Sequence, residues 1–472
     1  MNELLQKTLT ELVGSLRDRQ ASAVELMEAV LARIDATHAD LNALVALRDR
    51  DELLADARSA DARLAAAEPR PLEGIPLGVK DLEDTEGLIT SRGSLVFADH
   101  MARFDTTQVA RLKVAGAIVV GKTNAPEFGA TAITKNLVYG STQNPWNLAH
   151  TPGGSSGGSA AALAAGVLPL VTASDGGGSI RIPASFVGAF GLKTSYGRIP
   201  NGPAARWDFG DTAVSGPLTK SVEDAALFLD QVAGPAAHDP NSLPSPGLSY
   251  VEALRQGLPG GLRIGFSPDL GYAVVQTDIA AAVADAVRVF EKLGHRVEEI
   301  SGGPPPMGDA WGRFGAFEMA ASLREYLPER ASEFGRSLIT GVLATQEFSA
   351  EDFGEMQEQR QELNRWCADQ FDRFDLLITP TVPYDPPPPR GPFPRETEGR
   401  PQLRWGVASF TIPFNLSWHP AGTVRVGLSR AGLPIGMQIV AARHRDDLVL
   451  QAARAFERER PWHPDWPTGS WA

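Results

Sequence analysis

Serine residues in two glycine-rich segments are the first candidates for chemistry in this sequence. Ser155 lies in the segment 153–159, Gly-Gly-Ser-Ser-Gly-Gly-Ser, and Ser179 directly follows Gly176, Gly177 and Gly178. Three consecutive glycines allow backbone N–H groups to converge on one point, because no Cβ obstructs them. An acyl-transfer enzyme needs such donors where negative charge develops on a carbonyl oxygen. Taken alone, this stretch also fits a plain glycine turn.

The segment 153–159 has three alternative interpretations. A flexible linker is one, but linkers do not run straight into an alanine-rich helix such as the one that 160–165 predicts. A phosphate-binding loop is another, but the Lys-Ser/Thr ending and the dinucleotide spacing are missing. The third is a nucleophile elbow, since 154–158 matches G-x-S-x-G; that motif needs a preceding strand, and 147–152 is a poor strand.

Lys80 is the third candidate, at the end of the apolar segment 74–81. Lysines are normally solvated surface charges, and that is the simpler interpretation of this one alone. If it is buried, loss of solvation disfavours the ammonium form and lowers the pKa, as a lysine base requires.

Together these segments resemble the amidase signature family. This family includes fatty acid amide hydrolases, aryl acylamidases, nylon cyclic-dimer hydrolases, urethane hydrolases and the glutaminase-type subunit of tRNA-dependent amidotransferases. The 24-residue separation of Ser155 and Ser179 agrees with the family spacing. The similarity extends over most of the chain, through the segments 74–81, 121–124, 153–159, 176–183, 375–381, 413–415 and 432–438.

The resemblance implies a role for each candidate residue. Ser179 is expected to be the nucleophile, Lys80 the base and Ser155 the proton bridge between them, with a cis peptide bond at Gly154–Ser155. The expected oxyanion hole comprises Gly176, Gly177, Gly178 and the Ser179 backbone. Supporting roles fall to Asp175, Arg181 and Ser156. No histidine, metal or cofactor is expected in the reaction.

The expected activity is hydrolysis of amide C–N bonds through an acyl-enzyme, with a small-molecule amide or carbamate as substrate. Aromatic residues that could line the pocket favour hydrophobic or aryl amides, anilides and carbamates; these are Trp207, Phe209, Trp311, Phe314 and Phe317. The alternative is an amidotransferase subunit that releases ammonia from glutamine. A binding module with a dead hydrolase fold is disfavoured, because all three relay residues are present.

Helices and strands must position these residues, and the patterns of the two alternate along the chain. Ser22 and Glu25 fit a capping box at the start of an amphipathic helix, and 117–120 and 262–266 predict strands. A further helix, ended by Gly294, is predicted from the shared face of Ile279, Val283, Val287 and Phe290. The segments 423–428 and 434–440 predict a hairpin. The expected fold is α/β, a single large domain over 1–472 with a central mixed sheet sandwiched by helices.

Three parts of this domain are distinguished by sequence. A helical segment covers about 1–70, a catalytic core about 71–220, and the remainder forms the substrate-pocket part. Seven prolines between residues 383 and 394 exclude a central strand or a helix interior from 383–404. This proline-rich loop is predicted to border the substrate entrance.

Composition limits the partners. The net charge of −13 disfavours nucleic acid and anionic membranes, both of which need a basic face on the protein. The single cysteine, Cys367, excludes an intrachain disulfide and a cysteine-based zinc site, and it is expected to be buried and inert. No signal peptide or membrane span is apparent, so a cytoplasmic monomer or homodimer is expected.

Overall fold

The computed structural model describes residues 2–203, 208–462 and 466–467. Within those residues there are fifteen strands: β1 (Leu44–Leu47), β2 (Pro76–Lys80), β3 (Ile118–Thr123), β4 (Lys135–Asn136), β5 (Gly140–Ser141), β6 (Leu170–Asp175), β7 (Phe190–Lys193), β8 (Val214–Thr219), β9 (Arg263–Phe266), β10 (Arg296–Glu299), β11 (Leu376–Pro380), β12 (Glu396–Thr397), β13 (Arg400–Pro401), β14 (Ala421–Leu428) and β15 (Pro434–Ala441). Eleven of them form one sheet, in the order β1-β3-β2-β6-β8-β7-β14-β15-β11-β9-β10.

Helices flank this sheet. The same described part of the chain holds fifteen: α1 (Glu3–Gln6), α2 (Leu9–Arg17), α3 (Ala23–Leu41), α4 (Arg50–Ala65), α5 (Thr107–Val114), α6 (Gly157–Ala164), α7 (Arg181–Val187), α8 (Val222–Val232), α9 (Tyr250–Gln256), α10 (Thr277–Lys292), α11 (Gly308–Leu323), α12 (Arg336–Ala344), α13 (Ala350–Arg373), α14 (Ile412–Leu416) and α15 (Asp446–Glu459). The predicted α/β fold with a central mixed sheet is confirmed.

Local sequence signals explain several element boundaries. The capping box at the start of α3 is present, with Ser22 and Glu25 each accepting a backbone N–H of the other. Helix α10 buries Ile279, Val283, Val287 and Phe290 on one face, as its periodicity predicts. The predicted hairpin is formed by β14 and β15, which pair antiparallel from Ala421↔Val440 onward.

Three neighbouring strands on one side of the sheet bring two chain segments to the same edge. Strands β3, β2 and β6 are parallel neighbours, with Leu77 of β2 opposite Leu170 of β6. The carboxyl ends of parallel strands lie at the same edge, where ligands of open α/β sheets bind. Lys80 ends β2 and Asp175 ends β6, so the sheet places the lysine beside the glycine-rich turn that follows Asp175.

The proline-rich loop 383–404 is largely irregular, as predicted, apart from the two-residue strands β12 and β13. It is fastened to the body of the protein at several points. Thr151 N–H donates to the Pro387 carbonyl at 2.8 Å, and the side-chain amide of Gln402 donates to the Val274 carbonyl at 2.7 Å. Tyr384 is buried in an apolar cluster with α13 and α14 residues. These contacts fix the loop near both of its ends.

Candidate active site

Lys80 is fully buried at the end of β2, among serine oxygens. Its Nζ donates to Ser155 Oγ and Ser156 Oγ, each at 2.8 Å, and lies 3.0 Å from Ser174 Oγ. The interpretation of Lys80 as a surface charge is therefore wrong. Ser174 was missed in the sequence; its position one residue before the end of β6, the neighbour of β2, is the signal that could have found it.

The loop that carries Ser155 is shaped by close backbone approaches. The Gly154–Ser155 peptide bond is cis, as the resemblance implied. A Cβ on Gly158 would lie 2.2 Å from Asn124 N, so only glycine fits where this loop meets the end of β3. Helix α6 begins at Gly157, directly after Ser156. No strand precedes the loop within the fully described segment 147–156, so the nucleophile-elbow interpretation is wrong.

Ser179 and Ser155 line one cavity of about 320 Å³. Ser179 is half-buried in the turn between β6 and α7, and its carbonyl accepts the Ser156 N–H at 3.2 Å, which joins the two serine loops. Gly176 and Gly177 line the same cavity. Two hydroxyl groups and a glycine backbone thus meet at one concave surface, and the buried Lys80 contacts one of those hydroxyls, Ser155 Oγ, from within the protein.

Asp175 organises the turn that carries Ser179. Its carboxylate accepts the N–H groups of Gly178 at 2.7 Å and Ile180 at 3.1 Å. The predicted oxyanion hole therefore needs a correction at Gly178, because its N–H is directed at Asp175 rather than at the cavity. Gly176, Gly177 and Ser179 remain as the candidate backbone donors of the predicted oxyanion hole.

Asp175 is itself held by a buried ion pair with Arg181. Arg181 Nη2 lies 2.9 Å from Asp175 Oδ1, and both side chains have no exposed surface. Burial alone would raise the pKa of Asp175, but the Arg181 guanidinium outweighs it and holds that pKa well below its usual range. Arg181 also donates to Gln438 Oε1 at 2.7 Å and to Asn415 Oδ1, residues of the segments 432–438 and 413–415 for which no role was predicted.

The predicted pocket residues divide into three groups. Phe209 and Trp311 line the cavity and stack on each other, with ring centroids 5.6 Å apart. Phe314 and Phe317 do not line it, and their prediction as pocket residues is wrong: Phe314 is covered by Gly210, while Phe317 packs on Phe348. Trp207 lies outside the described residues.

Other lining residues were not predicted. Further aromatic side chains complete the wall: Phe97, Phe104, Phe128 and Tyr326. Charged side chains also reach the cavity: Glu83, Asp84, Arg92 and Glu325. Asp84 and Arg92 form an ion pair at 3.4 Å. The apolar walls come from segments far apart in sequence, which no local pattern connects.

The loop 383–404 contributes none of the residues that line this cavity in the described parts of the chain. The prediction that it borders the substrate entrance is not supported at this cavity. Leu403 and Arg404, at its end, line a separate cavity of about 120 Å³.

Histidine has no place at the site, since none lines the cavity among the described residues. His419 is buried elsewhere, stacked on Phe371. A Ser-His-Asp arrangement therefore has no support.

Cys367 is buried, as expected, and burial raises its pKa to about 12. Over the described ranges, no cluster of three metal-ligating side chains occurs, and no helix has the length and apolarity to cross a membrane.

Comparison with known proteins decides the family. Residues 25–450 match the family described as Amidase. The chain belongs to the amidase signature family. This amidase is 37% identical to an acylamidase of Rhodococcus erythropolis, in an alignment that covers 98% of this chain and 97% of the relative. It is 34% identical to one of the subunits of the glutamyl-tRNA(Gln) amidotransferase of Geotalea daltonii, over 98% and 99% of the two chains.

The solved structure of a bacterial aryl acylamidase of the amidase signature enzymes superposes on this amidase with a TM-score of 0.93. The two are 32% identical and the match covers 98% of each chain. The amidase is accordingly an enzyme that hydrolyses amide C–N bonds.

Proposed function

We propose that this amidase hydrolyses hydrophobic or aryl amides and anilides, and related carbamates, through an acyl-enzyme on Ser179. One observation carries the proposal: the buried Lys80 Nζ lies 2.8 Å from Ser155 Oγ, and Ser155 shares a cavity with Ser179. A lysine without solvent is suited to work as a neutral base, because burial disfavours its ammonium form.

The reaction proceeds as a proton relay. Neutral Lys80 accepts the proton of Ser155 Oγ, Ser155 accepts that of Ser179, and the Ser179 oxygen bonds to the substrate carbonyl carbon. When the tetrahedral intermediate collapses, Ser155 returns a proton to the leaving nitrogen as the C–N bond breaks. This proton is required, since an amine anion is a very poor leaving group. Water then attacks the acyl-enzyme by the same relay, which releases the carboxylic acid and restores Ser179.

The backbone N–H groups of Gly176, Gly177 and Ser179 stabilise the oxyanion that forms on the carbonyl. The position of both glycines on the cavity wall supports this role. Removing one such donor from an enzyme costs about 10²–10³ in rate. Asp175 and Arg181 stabilise the oxyanion hole indirectly. The Asp175 carboxylate accepts the Gly178 N–H and so fixes the turn, and the Arg181 guanidinium fixes that carboxylate.

The cavity wall favours aromatic or otherwise hydrophobic substrates. Phe209 and Trp311 form a stacked pair beside Gly176 and Gly177, and a flat ring can pack against such a surface. The name of the Rhodococcus relative, an acylamidase, agrees with amide substrates.

Release of ammonia from glutamine is the second candidate, because the amidotransferase relative from Geotalea daltonii is 34% identical over nearly the whole chain. The charges of the cavity disfavour it. Glutamine carries an α-carboxylate, whereas the described lining has three carboxylates, Glu83, Asp84 and Glu325, and one guanidinium, Arg92, which already pairs with Asp84. The α-carboxylate of glutamine would therefore lack a cationic partner of its own in the described lining.

Turnover on a panel of substrates tests the proposal. Purified protein should hydrolyse an aryl amide, an anilide and an aryl carbamate without a partner, and should leave glutamine nearly untouched. Ser179→Ala should lower kcat by about 10³-fold or more. Ser185→Ala is the matched control, a buried hydroxyl on the adjoining helix that does not line the cavity, and it should keep kcat within about twofold. Glutamine turnover after addition of lysate, with no reaction on any aryl substrate, would reverse the order of the two candidates.

A further inference from the structure

The carbonyl of Gly176 receives the indole N–H of Trp311, a residue 135 positions away on α11. The Nε1–O distance is 2.6 Å. Thr212 Oγ1 is also 2.9 Å from this oxygen, but the same hydroxyl lies within 3.2 Å of the carbonyls of Asp208 and Phe209, and its single proton cannot serve all three. Trp311 is therefore the donor committed to the Gly176 carbonyl.

This hydrogen bond fixes the direction of a neighbouring donor. The peptide group is planar and trans, so the C=O of Gly176 and the N–H of Gly177 point in opposite directions. A donor that holds the carbonyl holds that N–H as well. It also polarises the peptide group, which strengthens the N–H as a donor. The next carbonyl is held similarly, since Thr411 Oγ1 donates to Gly177 O at 2.6 Å.

The ring of Trp311 has a second set of contacts. One face stacks on Phe209, and its edge meets Trp405 with ring centroids 5.3 Å apart. The same ring lines the cavity that contains Ser179. Trp311 thus touches the space where substrate would lie and the backbone that would stabilise the oxyanion.

We propose that Trp311 is a positioning residue, which couples substrate packing in the aromatic pocket to the alignment of the oxyanion hole. The inference rests on the proposed function. A substrate ring packed against Trp311 holds the indole in place, and the indole N–H then holds the Gly176–Gly177 peptide in its productive orientation. Substrates that leave the aromatic wall empty lose this support, so selectivity appears in kcat and not only in binding.

The test is to remove the indole N–H of Trp311 while an aromatic side chain is kept in the cavity wall. Trp311→Phe should lower kcat on an aryl anilide about tenfold, the effect of one lost hydrogen bond in the transition state, with KM changed less than threefold. Inhibition by an arylboronic acid, whose tetrahedral Ser179 adduct places an oxygen in the oxyanion hole, should weaken by a similar factor. Binding of the carboxylic acid product should not change.

A matched control is available in Trp462→Phe. Trp462 is buried and donates its indole N–H to the Lys220 carbonyl at 3.0 Å, away from the cavity, so this variant should keep wild-type kcat and boronate affinity. If Trp311→Phe unfolds at a lower temperature than the control, replacement of Trp311 by benzothienylalanine keeps the ring shape and removes only the N–H.

Two results overturn the inference. An effect confined to KM, or boronate affinity equal to wild type, would mean that Trp311 is only a wall of the pocket while the proposed function stands. A wild-type protein with neither anilide turnover nor boronate inhibition would instead remove the proposed function, and the inference with it.

Discussion

We expect the glycine turn to tolerate an added methyl group at Gly176 but not at the neighbouring Gly177. A Cβ on Gly177 would lie 2.6 Å from Cζ2 of Trp311, against 3.4–4 Å for an ordinary contact. The Gly177→Ala variant must therefore displace the indole by about 1 Å, and a hydrogen bond of 2.6 Å between Nε1 and Gly176 O lengthens beyond useful range. A misplacement of this size near the reacting atoms costs roughly 10²-fold, or about 2.7 kcal/mol of transition-state stabilisation.

Gly176→Ala is the matched control. Its Cβ would meet Phe209 at 3.3 Å, and Phe209 borders open cavity, so a shift of a few tenths of an ångström suffices. We expect kcat/KM on an aryl anilide to fall about 10²-fold for Gly177→Ala and less than threefold for Gly176→Ala, with thermal unfolding followed for both. Equal losses at the two positions, or a fully active Gly177→Ala, would refute the reasoning.

Three further expectations concern the surroundings of the site. Asp175→Asn should lower the free energy of unfolding by about 3–5 kcal/mol in denaturant titrations, because it leaves the buried Arg181 charge without its partner; a loss under about 1 kcal/mol would contradict this. Burial, with help from the Arg181 charge, lowers the pKa of Lys193 to about 7, so its proton leaves the folded chain at lower pH than the unfolded one. Wild type should then gain stability over Lys193→Met as pH rises from 7 to 9, by up to about 1.4 kcal/mol per unit, and a constant difference would exclude the shift. Deletion of 386–399 should leave the ratio of kcat/KM between bulky and small amides within about twofold, since the loop does not line the cavity; a tenfold change would restore its predicted role at the entrance.

Local signals in the sequence predicted those parts of the fold that depend on neighbours along the chain. The capping box of α3 and the β14–β15 hairpin follow from residues within a few positions of one another. The α/β class followed from alternating patterns. The order of the eleven strands did not, because it depends on pairings across more than two hundred residues, such as β7 with β14.

The candidate site could likewise be predicted only in part from the sequence. The segments that hold Lys80, Ser155 and Ser179 could be identified from their composition and order, and the sheet brings their ends together. Helix geometry explains the error on α11: at 100° per residue, Phe317 points about 120° away from Trp311, so both cannot face one cavity. The contact of Trp311 with Gly176 has no local signature at all.

The proposed relay requires Lys80 to act as a base. Its Nζ is the only atom of the relay that can accept the proton of Ser155. Lys80→Arg should fail to restore activity to the level of wild type at any pH from 6 to 10, because a guanidinium stays protonated. A Lys80→Arg variant with near-normal turnover would exclude the relay.

The central claim, that Ser179 forms the acyl-enzyme, is tested most directly by the site of covalent modification. A fluorophosphonate probe added to the native protein, followed by proteolysis and mass spectrometry, should place one adduct on Ser179. Labelling should be lost in Ser179→Ala and slowed strongly in Lys80→Met, which removes the base that activates the nucleophile. An adduct on Ser155 or Ser156 in the wild-type protein, or labelling of Ser179 at an unchanged rate without Lys80, would contradict the account.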